Sequence, residues 1–241
     1  MEFEQFSYRF AEEIMTNSTN MYAYQEIISV IENCPLFLFP NKSSKTPRLD
    51  IVQQLMNTYF DRCLACDHSW SYHPAATRIL NSGLAADFRK DFNGLRIQAE
   101  VQFGNMSRWY SDIFKFQTAY SQDLIDLGLC IVPMASMASR MDSNVANYER
   151  CLRELPSAKL SITLPILIIG LREDSNTLRI NVPSAGITDA RNIKTFTGGG
   201  ATENRYRIVN GILNNIPIDQ INDQSDAGPM ASLFEPEDQE D

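Results

Sequence analysis

The chain has 241 residues, 44% of them apolar, and a net charge of −9. That is enough apolar material for one full core, while no run of about 18 apolar residues predicts a membrane span and Met1-Glu2-Phe3-Glu4 lacks the basic and apolar regions of a secretory signal. The acidic balance speaks against a general nucleic-acid binder, but residues 219–241 hold eight acidic residues and no Lys or Arg, and elsewhere 22 acidic residues face 21 basic ones.

The first third reads as helical. Apolar residues at three-and-four spacing predict helices over 3–15, 22–31 and 49–64, with a polar break at 16–20 and a loop at 40–47. From residue 84 the pattern changes. A strand over 84–92, the two-residue turn signal Asn93-Gly94 and a returning strand over 95–103 predict a hairpin. Ser107 is a candidate N-cap for a helix to 124, with Trp109, Ile113, Phe116 and Tyr120 on one stripe. Strands are predicted over 127–134, 164–171 and 178–182, and a helix over 145–155. Gly198-Gly199-Gly200 reads as a loop, after which 205–213 returns to apolar alternation. This order predicts an α/β fold: a central mixed sheet flanked by helices, behind a helical N-terminal part of about residues 1–80. We expect one domain over 1–218, with its core at about 84–171, and a disordered solubilising tail at 219–241. Five cysteines, odd in number and sparse, predict free thiols in a reducing cytoplasm.

The chemistry concentrates in residues 90–105, KDFNGLRIQAEVQFGN. Alternation along a strand sets Glu100 and Gln102 on one face and Val101 on the other. A buried carboxylate beside a buried amide is costly unless something satisfies it. A divalent cation held by Asp91, nine residues upstream, and Glu100 would do so, although their separation depends on the register of the hairpin. Gln102 does not titrate, so its physical role would be to orient a water.

This pattern resembles the PD-(D/E)xK nuclease motif in the variant with Gln in place of the usual Lys. It is similar to type II restriction endonucleases of the BglII and BstYI kind, whose strand also reads Glu-Val-Gln-Phe. The likeness continues through Ile131-Val132-Pro133-Met134, Asn147-Tyr148-Glu149 and the apolar run 165–171. It implies a restriction-endonuclease-like core and Mg²⁺-dependent cleavage of double-stranded DNA at a short palindrome, with a GATC core as the default target. It also implies a homodimer, a companion methyltransferase, catalysis by Asp91, Glu100 and Gln102, and metal held by Asp91, Glu100 and the Val101 carbonyl. Asn81 and Asp87 are candidates for a further upstream group. Asn105, Ser143 and Asn144 are the implied DNA-reading residues. Ser143 and Asn144 read equally well as caps of the following helix. Alternatives are a structure-selective repair nuclease of the same fold and a DNA-binding protein without catalysis.

Two other features carry weaker signals. Arg191, Lys194, Arg205 and Arg207, with Phe196 and Tyr206, could grip phosphates, though a solvated surface is the ordinary reading. Cys63, Cys66, His68 and His73 are four potential zinc ligands at unusually tight spacing, in a stretch that equally fits the end of an apolar helix.

Overall fold

The structure is a computed structural model and describes residues 1–194 and 199–221. In chain order the elements are β1 (Glu2–Tyr8), α1 (Ala11–Met15), α2 (Met21–Glu32), β2 (Leu36–Leu38), α3 (Gln53–Phe60), β3 (Ser71–Tyr72), β4 (Phe88–Phe92) and β5 (Leu95–Val101). There follow α4 (Met106–Ser121), β6 (Leu127–Pro133), α5 (Ala135–Met141), α6 (Tyr148–Glu154), β7 (Ile166–Arg172), β8 (Arg179–Asn181), α7 (Arg191–Lys194) and α8 (Gly199–Leu213). The result is the predicted α/β architecture: a mixed six-stranded sheet in the order β1-β7-β6-β5-β4-β3, with helices on both faces.

Strands β5, β6 and β7 run parallel, and the hairpin β4–β5 and the pair β1–β7 add antiparallel strands on either side. Alternation sorts each strand between two cores. Ile97, Ala99, Leu129, Ile131, Leu167 and Ile169 face the core built with α2, α3 and α5. Cys130, Val132, Ile166 and Ile168 face the core built with α4 and α6. Strands buried on both faces read as continuous apolar runs, which is why β6 and β7 were visible in the sequence.

Three expected elements differ. The helix over 3–15 is a strand to Tyr8 and a short helix from Ala11, because pairing of β1 along the whole of β7 outweighs local spacing. The alternation over 205–213 belongs to helix α8, and Gly199 and Gly200 begin it. Helix α3 gives way at Asp61 to a π-helical segment, Asp61–Asp67, a distortion that often accompanies function. Of the expected tail, residues 222–241 lie outside the described residues. Asp219 and Gln220 are exposed, whereas Ile221 is buried and its carbonyl accepts from Arg207 Nη1 at 2.7 Å.

Candidate active site

The Asn93-Gly94 turn fixes every pairing in the hairpin. Gly94 sits at φ +100°, a conformation glycine reaches without strain. Counting outward, Phe92 pairs with Leu95, Asp91 with Arg96 and Phe88 with Ala99. The next step out brings Asp87 beside Glu100, and Asp87 Oδ2 accepts from the Val101 N–H at 2.9 Å. Asp91 is left at the turn end, exposed, where its Oδ1 accepts from the Gly94 N–H at 2.6 Å. The expected Asp91–Glu100 pair is therefore corrected: the carboxylate next to Glu100 is that of Asp87. Asn81, the other upstream candidate, lies in an exposed loop at φ +60°.

Glu100 and Gln102 point to the face covered by α4, together with Gln98, and all three are buried. Glu100 Oε1 accepts from Gln98 Nε2 at 3.0 Å, and Oε2 accepts from the ammonium of Lys115. Gln102 Nε2 donates to Asp112 Oδ2 at 2.5 Å, and its Oε1 accepts from the Gly104 N–H at 2.8 Å. A Cβ at position 104 would stand 2.7 Å from that Oε1, so the amide seats only over a glycine. Lys115 Nζ also lies 2.9 Å from Asp112 Oδ1. Asp112 and Lys115 come from α4, one turn apart on its buried face. Sequence reasoning missed both. The signal was there: Asp112 is three residues after Trp109 and four before Phe116, inside the apolar stripe.

Burial pushes the Glu100 carboxyl up to about 9, helped by the negative charges of Asp87 and Asp112 and opposed by Lys115. Burial likewise raises Asp87, against the pull of Lys115 and the Val101 N–H. For Lys115 burial acts downward, but Glu100, Asp112 and Asp87 together carry it above the ordinary lysine range. Three carboxylates thus share one ammonium, and the cluster is short of positive charge.

Asp87, Val101, Gln102, Asp112 and Lys115 form one wall of a cavity of about 670 Å³. Gln53, Gln54, Asn57, Thr58 and Asp61 of α3 and its π-helical extension line another wall, and Thr202, Arg205 and Tyr206 of α8 close it. The side-chain amide oxygens of Gln53, Gln54 and Asn57 are buried there without a hydrogen-bond partner. Asp61 is pushed up to about 8 by burial, with the charge of Asp87 adding to the shift. His73 also lines the cavity, and burial lowers it.

The expected reading residues gather at one edge. Asn105 bridges to Val145, the Met106 N–H donates to the Asn144 carbonyl at 3.0 Å, and the Ala146 N–H to the Gly104 carbonyl at 2.9 Å. Asn105 rather than Ser107 caps α4, accepting from the Ser107 and Arg108 N–H groups. Ser143 and Asn144 are exposed and cap nothing: Asn147 caps α6. In the basic segment the arginines make contacts within the protein. Arg191 pairs with Asp189, while Arg205 and Arg207 turn inward onto the carbonyls of Ile193 and Ile221; Phe196 lies outside the described residues.

The potential zinc ligands do not gather into one cluster. Cys63 is buried beside Tyr59, His68 faces Glu26 and His73 faces the cavity. Among the described residues no group of three or more His, Cys, Asp or Glu side chains is arranged to hold a metal ion, and all five cysteines are free. No helix among the described residues is long and apolar enough to cross a membrane.

A family model described as restriction endonuclease BglII/BglIII matches residues 3–171. The fold is similar to that of restriction endonuclease BglII complexed with a DNA 16-mer, with a TM-score of 0.60 at 20% identity, over 73% of this chain and 81% of that one. Against free BglII the TM-score is 0.49 at 18% identity, over 73% and 82%. None of the curated proteins compared with the chain matches it. Strand β8 and helices α7 and α8 lie beyond the family match, so the α8 wall of the cavity stands outside it.

Proposed function

Since this chain belongs to the BglII/BglIII restriction endonuclease family, and is therefore a site-specific deoxyribonuclease, we propose that Asp87, Glu100 and Gln102 form its catalytic site and that Mg²⁺ is its cofactor. The observation that carries this reading is the pair of neighbouring carboxyls, Asp87 and Glu100, both shifted upward, at a cavity that Asp87, Val101 and Gln102 line.

The donor set suits a hard cation, since Mg²⁺ prefers carboxylate and carbonyl oxygens with retained waters. Asp87, Glu100 and the Val101 carbonyl would hold it. Bound there, it would supply positive charge to the phosphoryl oxygens and lower the pKa of its water. Gln102 orients the attacking water. Its amide is held by Asp112 and Gly104, which leaves one Nε2 hydrogen and one Oε1 lone pair for a further partner. Burial of Gln98, Glu100 and Gln102 excludes bulk water from one side of the reaction and keeps these groups pre-set.

The reading extends to a cytoplasmic homodimer acting on a short palindrome, possible targets including a GATC core, with one domain over 1–218. Two-fold symmetry in the protein matches two-fold symmetry in the site, and the five free cysteines suit a reducing compartment. Asn105, Ser143 and Asn144, gathered at the exposed edge beside the catalytic strand, are the proposed base-reading groups.

Incubation with unmethylated phage DNA tests this. Discrete fragments with Mg²⁺ and none with EDTA are expected, and sequencing of the ends gives the site. A smear, or preference for branched DNA, would mean a structure-selective nuclease. Retained binding without cutting would mean a protein that has lost catalysis. Sedimentation of the free protein tests the dimer.

A further inference from the structure

Lys115 is nearly buried, and its ammonium lies against two carboxylates of one cluster: Glu100 Oε2, and Asp112 Oδ1 at 2.9 Å. The other Glu100 oxygen accepts from Gln98. Both Glu100 oxygens are thus engaged by protein donors, on the residue that the preceding reading gives to a metal. A divalent cation and an ammonium on the same carboxylate oxygen repel at a distance where a low dielectric magnifies the charge. The ammonium has an alternative seat, because Asp112 holds it independently of Glu100. Asp112 is itself fixed by Gln102, so that seat is pre-formed.

We propose that Lys115 is a positioning residue that stands in for the divalent cation on Glu100 and competes with it, with Asp112 as the acceptor that retains the ammonium when Glu100 turns to the metal. Without a metal, Lys115 keeps the three carboxylates from driving the site open. With a metal, its ammonium shifts its weight to Asp112. The affinity for metal is set by that exchange as well as by the ligands. The inference rests on the metal reading of the same site.

Calorimetric titration with Ca²⁺ alone, on the full chain without DNA, tests it, together with thermal melting in EDTA and in excess Ca²⁺. Lys115→Gln should bind Ca²⁺ about ten-fold more tightly than the wild type, the size of effect that one lost competing ion pair gives. It should also melt lower in EDTA and recover in excess Ca²⁺. Asp112→Asn removes the second seat and should change Ca²⁺ affinity the opposite way, to weaker binding. Equal Ca²⁺ affinity in Lys115→Gln and the wild type would overturn the role of Lys115 and leave the metal reading standing. So would a Lys115→Gln protein with no folded transition even in excess Ca²⁺. Binding by neither protein, or binding that Asp87→Asn leaves untouched, would sink the metal reading itself.

Discussion

The two ends of the β4–β5 hairpin carry the same kind of residue and put it to opposite use. At the turn end, Asp91 is exposed and its carboxylate closes the turn on the Gly94 N–H. At the open end, nine residues of chain away on the returning strand, Glu100 is buried and shares its surroundings with Asp87, Asp112 and Lys115. One carboxylate keeps its hydration and serves local geometry. Asp87 and Glu100 have lost theirs, and burial shifts both carboxyls upward as a result. Position along a ladder, rather than residue type, decides which acid loses its hydration.

Substitutions that move between the two ends break this comparison most sharply. Asp87→Ala and Glu100→Ala should each lower cleavage by roughly 10²–10³-fold or more, as loss of a group that holds charge in the transition state does, with the fold retained by thermal melting. Asp91→Ala should cut at close to the wild-type rate. A dead Asp91→Ala beside an active Asp87→Ala would reverse the assignment. Gln102→Ala should cost less, about 10–100-fold in cleavage rate, the range typical of groups that orient a metal's surroundings. Its DNA binding in Ca²⁺ should be unchanged in a gel-shift measurement.

A pH series sharpens the comparison on the other cavity wall. Asp61 is raised from the ordinary carboxylate value of 3.8 to about 8 in the fold. Below about 4 both folded and unfolded chains hold the proton, and stability is unaffected. Between about 4 and 8 the unfolded chain ionises while the fold keeps its proton, so stability falls as pH rises. Asp61→Asn should therefore raise the melting temperature more at pH 8 than at pH 5. An equal change at both would show that Asp61 is solvated in the fold. The smallest effect belongs to the turn. Gly94→Ala meets no atom within 4 Å but keeps a φ of +100°, and should cost about 1 kcal/mol of stability by denaturant melting.

How much of this was legible in the residues follows from which forces each part depends on. Strands β6 and β7 were visible because burial on both faces leaves no polar alternation to misread. The sharing of one face by Glu100 and Gln102 follows from the period of a strand alone. The partner of Glu100 was also legible, since a two-residue turn at Asn93-Gly94 counts outward to Asp87; motif spacing pointed instead to Asp91. Asp112 and Lys115 were harder, because charged residues inside an apolar stripe ordinarily mean that the stripe is misjudged. Strand β1 was not legible: its only reason for being extended is a partner far along the chain.

That partner has a consequence in time. Residues 2–8 find their ladder on β7, where Glu2 lies opposite Arg172, 170 positions later. At synthesis rates of about 5–20 residues per second, the first strand waits on the order of ten seconds or more for its neighbour to be made. Throughout that interval β1 has no ladder, and until it docks on the finished β7, or whenever it frays, one side of β7 offers unpaired peptide groups along the apolar run Ile166-Leu167-Ile168-Ile169. Such an edge templates aggregation. Glu2 and Glu4, clamped by Arg172 in the finished fold, lie on the strand that covers it.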